Sequence, residues 1–174
     1  MTEKQQEKFI ELYSFEQKTY PEIEKNMRIK RKDTQKLFKE TEEERKKISN
    51  IRKKYYTRKE YFLEFKEFYT WYENQKQKCG YCGISQENLY VLFNKENRIL
   101  PYLDKTIKYT KSPKRSSGTL EIERVDSSKK YEKDNMILAC PLCNNAKSNL
   151  IDEESWRDFF VPVMKEYYEK LLIK

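Results

Sequence analysis

The 174-residue chain contains no histidine and no cysteine beyond four. The missing histidine removes the side chain most used as a general base near neutral pH and as a metal-ligating imidazole. No apolar run approaches the ~20 residues that span a bilayer, so the sequence reads as soluble, with no membrane partner. Its start, MTEKQQEKF, lacks the apolar core of a secretory signal. The expected location is therefore cytoplasmic, where thiols stay reduced and disulfides are disfavoured. Aliphatic content is low, and 14 Tyr, nine Phe and two Trp compensate for it, enough to build compact cores.

What is present is concentrated in the cysteines. Cys79-Gly80-Tyr81-Cys82 and Cys140-Pro141-Leu142-Cys143 have the same gap. Two Cys-x-x-Cys knuckles of soft thiolates can close one tetrahedral zinc site. Zinc is thus the expected structural ion, one per chain, on Cys79, Cys82, Cys140 and Cys143.

The formal charge is +8. Four thiolates on one Zn²⁺ would still leave the chain basic, which favours a polyanionic partner. The excess is uneven: residues 1–57 hold 16 Lys/Arg and 11 Asp/Glu, whereas residues 79–174 hold 16 and 14.

The first third has helical periodicity. Phe9, Leu12, Tyr13 and Phe15 lie near one face of a first helix. Pro21, favoured in a first helical turn, opens a second with Ile23 and Met27 on one face. A third starts near Lys32, with Thr34, Leu37 and Phe38 inward. The stretch TYPEIEKNMRIKRKDTQKLF resembles the helix-turn-helix of transcription regulators and sigma factors. It departs from that family at Glu24, where a small residue is preferred, and at Arg28, where glycine is. The alternative is a bundle that only packs. If the region reads DNA, Lys30, Arg31, Lys32, Gln35 and Lys36 are its outward contacts. Residues 39–54 read as a solvated, charge-paired linker helix. A stronger helix follows, with Thr57 as N-cap and an aromatic stripe of Tyr61, Phe65, Phe68, Tyr69 and Tyr72 that reads as core.

Between the knuckles a short helix with Leu89, Leu92 and Phe93 buried is expected. A loop follows at YTKSPKRSSG, whose Lys111, Lys114 and Arg115 either clamp phosphate or are simply solvated. From Thr119 to Glu123 the pattern alternates as a strand does. Residues 127–133 form a polar loop, residues 135–139 a second strand, and Pro141 opens a helix through Asn149.

This order, with CGYCG at 79–83 and LEIERVDSSKKYEKDNMILACPLCNNAKS at 120–148, resembles the HNH endonucleases, the ββα-metal nucleases with a zinc-ribbon frame. The resemblance implies one divalent ion, Mg²⁺ or Mn²⁺, hydrolysing DNA phosphodiester bonds, with RNA as the lesser substrate and restriction or phage defence as the setting. Residue by residue, it implies that Glu123 and Asn144 bind the ion. Asn135 ties down the loop, and Arg124 and Lys147 meet phosphate.

Arg124 stands where the family has its histidine. Guanidinium cannot accept a proton from water, so the base must be Asp126, Tyr131 or metal-bound hydroxide. Glu121 has the parity of Glu123 and is a second acidic ligand or an exposed residue. The alternative to an active enzyme is a zinc-containing DNA-binding protein or regulator with a disabled site. The fold expected is α+β and mainly helical. Residues 1–56 form a helical region of helix-turn-helix type, and residues 57–174 a zinc-framed ββα-metal nuclease core. The C-terminal helix, capped by Asp152, is expected to brace the zinc module or, as the alternative, to form a homodimer surface. Pro162 is expected to kink it.

Overall fold

The computed structural model describes residues 1–56, 64–94 and 118–173. These form two compact units, Met1–Asn74 and Gln75–Lys174. Among the described residues no helix is long and apolar enough to cross a membrane.

The first unit is helical. Helix α1 (Glu3–Ile10) opens on a capping box between Thr2 and Gln5 and runs into a π-turn, Glu11–Phe15. Helix α2 (Tyr20–Met27) has the same device in Thr19 and Glu22, with Pro21 in its first turn. These reciprocal bonds satisfy amide donors that a helix start leaves orphaned. Helix α3 (Arg31–Glu40) follows after three residues. Phe9, Leu12, Ile23 and Leu37 form the core where α1, α2 and α3 meet, ringed by Tyr13, Tyr20, Met27, Ile29 and Phe38. The turn between α2 and α3 depends on Arg28, which sits in the left-handed region at φ 54°. The geometry is the one glycine takes most easily, here adopted by arginine.

Helix α4 (Glu42–Tyr56) is more than a solvated linker. Acid precedes base on its outer face, but Ile48 and Ile51 are buried. Two of its arginines close neighbouring helix ends. Arg45 donates to the Phe38 carbonyl at 2.5 Å and lies over the Phe38 ring. Arg52 donates to the Ser14 carbonyl and lies 3.7 Å from the Phe65 ring centre. Cations at helix C-termini meet the orphaned carbonyls and the negative dipole end, so the charge of α4 is partly structural. Helix α5 (Phe65–Glu73) buries Phe65, Phe68, Trp71 and Tyr72, with Tyr69 half-buried, so Phe65, Phe68 and Tyr72 of the stripe are core. Its N-cap is Glu64; Thr57 and Tyr61 lie outside the described residues.

The second unit is built around a two-stranded antiparallel sheet. Helix α6 (Gln86–Phe93) is capped by Ser85 and buries Leu89 and Leu92, with Phe93 half-buried. Strand β1 (Glu121–Arg124) pairs with β2 (Met136–Ala139), Glu123 opposite Ile137 and Arg124 opposite Met136. Helix α7 (Pro141–Lys147) then starts at Cys140 and stops two residues short of Asn149. Ser148, at φ 48°, turns the chain away.

The C-terminal helix is continuous but changes pitch. One turn, α8 (Glu153–Ser155), capped by Asp152, leads into a π-turn, Trp156–Phe160, and then α9 (Val161–Leu172). Pro162 lies in the first turn of α9, so its missing N–H breaks no bond inside a regular helix. The wider π-turn also resets the helical phase. The apolar residues of this helix are therefore split between buried and exposed positions. Trp156, Val161, Tyr168 and Leu171 are buried, while Phe159, Val163 and Tyr167 are exposed.

Candidate metal centre and active site

The four cysteines converge. Their Sγ atoms all lie within 4.8 Å of one another, and all four residues are buried and free of disulfides. Thiolates at about 2.3 Å from one Zn²⁺ stand about 3.8 Å apart, and Cys82 Sγ lies 3.8 Å from Cys140 Sγ. The arrangement can hold one metal ion. Backbone geometry makes it: Cys79 N–H donates to the Ile84 carbonyl at 2.8 Å, and Gly83 turns at φ 80°. Gly80 N–H donates to the Leu138 carbonyl at 2.7 Å, which ties the first knuckle to β2. A Cβ on Gly80 would stand 3.2 Å from Ile137 Cδ1.

The C-terminal helix braces this centre. Tyr168 donates its hydroxyl hydrogen to Cys140 Sγ at 3.2 Å, and burial pushes that hydroxyl's pKa well up. Trp156 meets Tyr81 edge-on at 6.1 Å, and the Arg157 guanidinium lies over the Tyr81 ring, 5.1 Å from its centre. Nothing in the local sequence marks Tyr168 as a partner of the knuckle, because the π-turn sets its phase.

The ββα site is built on the same pair of strands. Glu121 and Glu123 share one face of β1, about 6.6 Å apart along the strand. Asn144 and Lys147 share one face of α7, about 4.5 Å apart along the helix. The two faces meet as two pairs. The Asn144 amide donates to the Glu121 carboxylate. Lys147 Nζ lies 3.6 Å from Glu123 Oε1. Glu121, left as either ligand or surface residue by sequence parity, is thus an inward partner of Asn144. Two carboxylates and an amide oxygen are hard donors of the kind Mg²⁺ and Mn²⁺ take, so the donor set fits such an ion.

Asn135 is buried and holds the loop between the strands. Its side chain accepts from Asp126 N–H at 2.8 Å and donates to the Asp126 and Lys130 carbonyls at 3.0 and 2.9 Å. Arg124 is half-buried. Its guanidinium donates to the Lys129 carbonyl at 3.1 Å and to Asn149 Oδ1 at 3.3 Å, and lies 5.0 Å from the Tyr131 ring centre.

Two residues sit otherwise than the sequence suggests. Lys147 is fully buried, at 0 % exposure, and its ammonium faces oxygens of residues 123–127. Asp126 does not continue the strand beside Arg124, because β1 ends at Arg124. Its carboxylate instead accepts from the Ser128 hydroxyl and N–H and pairs with Lys129, which hold its pKa at about 2. A carboxylate so weakly basic is a poor proton acceptor at neutral pH.

In the first unit Lys30, Arg31, Lys32, Gln35 and Lys36 are all exposed around α3. Arg31 pairs with Glu24 at 3.1 Å and Lys36 with Glu40 at 3.7 Å. Lys111, Lys114 and Arg115 lie outside the described residues.

A protein-family model, HNH endonuclease, matches residues 121–150. No curated protein matches the chain. Among solved structures, the rare-cutting HNH restriction endonuclease PacI is similar over 70% of this chain and 76% of its own, at 24% identity and a TM-score of 0.46. The segment from Glu121 to Leu150, which holds both strands, the helix and two of the four clustered cysteines, is similar to the HNH endonucleases.

Proposed function

We propose that the protein is a metal-dependent endonuclease that hydrolyses DNA phosphodiester bonds. The observation that carries this reading is the inward face of β1, where Glu121 and Glu123 meet Asn144 and Lys147 from α7. The buried pair holds the Glu123 carboxylate in one orientation, as a metal-holding group requires.

In this reading the four cysteines hold zinc, and with all four positions filled by protein that ion supports the fold only. Glu123 and Asn144, with Glu121 beside them, hold Mg²⁺ or Mn²⁺, which when bound supplies charge stabilisation to the scissile phosphate. Asn135 keeps the loop in register with the strands. Arg124, which is half-exposed, neutralises phosphate charge and cannot take the proton from water. With Asp126 committed to Ser128 and Lys129, Tyr131 under Arg124 and hydroxide are the remaining proton acceptors. The helices α2 and α3 deliver DNA contacts through Lys30, Arg31, Lys32, Gln35 and Lys36, and the setting is restriction or phage defence.

The test is nicking of supercoiled plasmid with Mg²⁺, Mn²⁺ or Ni²⁺, beside Glu123→Gln, Tyr131→Phe and Arg124→His. Wild type should nick, and Glu123→Gln should not. No nicking under any ion, with DNA binding retained, would leave a zinc-framed DNA-binding module. Activity gained only in Arg124→His would mark the site as disabled. Loss in Tyr131→Phe with binding intact identifies the tyrosine as proton acceptor.

A further inference from the structure

The Lys147 ammonium has three N–H donors and finds three acceptors. It donates to the Arg124 carbonyl and to Ser127 Oγ, each at 3.3 Å, and faces Glu123 Oε1 at 3.6 Å. All three oxygens belong to residues 123–127, where β1 ends and the loop begins. A buried ammonium is costly unless its donors are met, so this stretch of backbone is shaped around it.

The consequence falls on Arg124. Its carbonyl is held toward Lys147, while its guanidinium is caught by the Lys129 carbonyl and Asn149. Ser127 extends the arrangement. Its hydroxyl accepts from Lys147 and donates to the Ser148 carbonyl at 3.2 Å. Ser148 has the positive φ that L-residues avoid, and this bond holds its carbonyl in place. Asn135 grips the same loop from the other side, at Asp126 and Lys130.

We propose that Lys147 is a positioning residue of the nuclease site. It pins the end of β1 and aims the Arg124 guanidinium, without itself touching DNA. This rests on the nuclease reading above. It reassigns a lysine that sequence resemblance alone places at the phosphate.

The experiment compares Lys147→Met, Lys147→Arg and Ser127→Ala with wild type. Zinc content, nicking rate against duplex concentration, and DNA binding over a range of salt without divalent ion are measured for each. Lys147→Met should lower kcat by roughly ten- to a hundredfold with KM and the salt dependence of binding unchanged. Lys147→Arg should recover part of that loss, and Ser127→Ala should lose less. An unchanged kcat with weaker binding and a salt slope reduced by about one would make Lys147 a phosphate contact and overturn the proposal. A lower melting temperature with kcat intact would overturn it too. If Lys147→Met loses its zinc, Ser127→Ala carries the comparison, since it keeps the charge. If wild type does not nick, the nuclease reading fails separately and hydrogen exchange decides. The Val125 and Asp126 amides, both bonded to Asn135, should then exchange at least about tenfold faster in Lys147→Met and Ser127→Ala; unchanged exchange overturns the pin.

Discussion

Glu123 and Lys147 form a buried ion pair, 3.6 Å from Nζ to Oε1, between the last residues of β1 and the last residue of α7. The pair ties strand to helix at the edge of the site. It also sets what each residue can do, since neither charge is free to be removed alone.

Truncating one partner leaves the other charge buried without compensation, which typically costs about 3–5 kcal/mol. Glu123→Ala should therefore destabilise the second unit by roughly that amount, while Glu123→Ala with Lys147→Met should recover a large part of it. Urea unfolding followed by Trp156 fluorescence, in a Trp71→Phe background, reads this unit alone. Additive losses would mean the pair is not coupled.

Tyr168 donates to Cys140 Sγ, and partners of a metal ligand typically change metal affinity about 10–100-fold when lost. Tyr168→Phe should lose the metal held by the four cysteines to a chelator faster, at nearly unchanged helix content. Cys140→Ser should lose the metal outright and unfold residues 75–174, because binding energy at a structural zinc site is folding energy. Competition with a chromophoric chelator measures both.

Asp126 offers a pH test with a defined sign. Its pKa is depressed to about 2 in the folded chain, first by the Ser128 hydroxyl, then by the Ser128 N–H and Lys129, against an ordinary value of about 3.9. A depressed carboxyl contributes stability that is present above the unfolded value and lost as pH falls through the folded one. Asp126→Asn should therefore differ from wild type above about pH 4 and converge with it near pH 2. A general base is worth about 100-fold or more. Nicking by Asp126→Asn should fall by much less, with the acid limb of its pH–rate profile unmoved. A hundredfold loss would reinstate Asp126 as the base.

Arg28 holds a left-handed turn that costs a non-glycine residue about 1 kcal/mol or more. Arg28→Gly should stabilise the first unit by roughly 0.5–1 kcal/mol, read by thermal unfolding on Trp71 in a Trp156→Phe background. Destabilisation would mean that the arginine side chain contributes more than its backbone costs.

Much of this was legible in one dimension because it repeats at a local period. The knuckle spacing gives the cysteine cluster, and the helix cap at Asp152 follows from short-range hydrogen bonding. The order from Glu121 through Leu150 gives the ββα motif. The aromatic stripe of α5 likewise reads as core from its period alone. What the period could not carry is direction. Lys147 looks like any solvated lysine beside a knuckle until α7 is laid on β1 and its ammonium has nowhere to go but inward. Asp126 looks like a strand neighbour of Arg124 until the strand stops.

The sequence by itself therefore determined the class of fold and the cysteine pairs that converge, since these depend on residue type and spacing. Tertiary structure alone decided which charges face solvent and which face each other, because burial and pairing arise only when separate elements meet. It paired Asn144 with Glu121 and Lys147 with Glu123. Through the π-turn at Trp156–Phe160, it also brought Tyr168 onto Cys140.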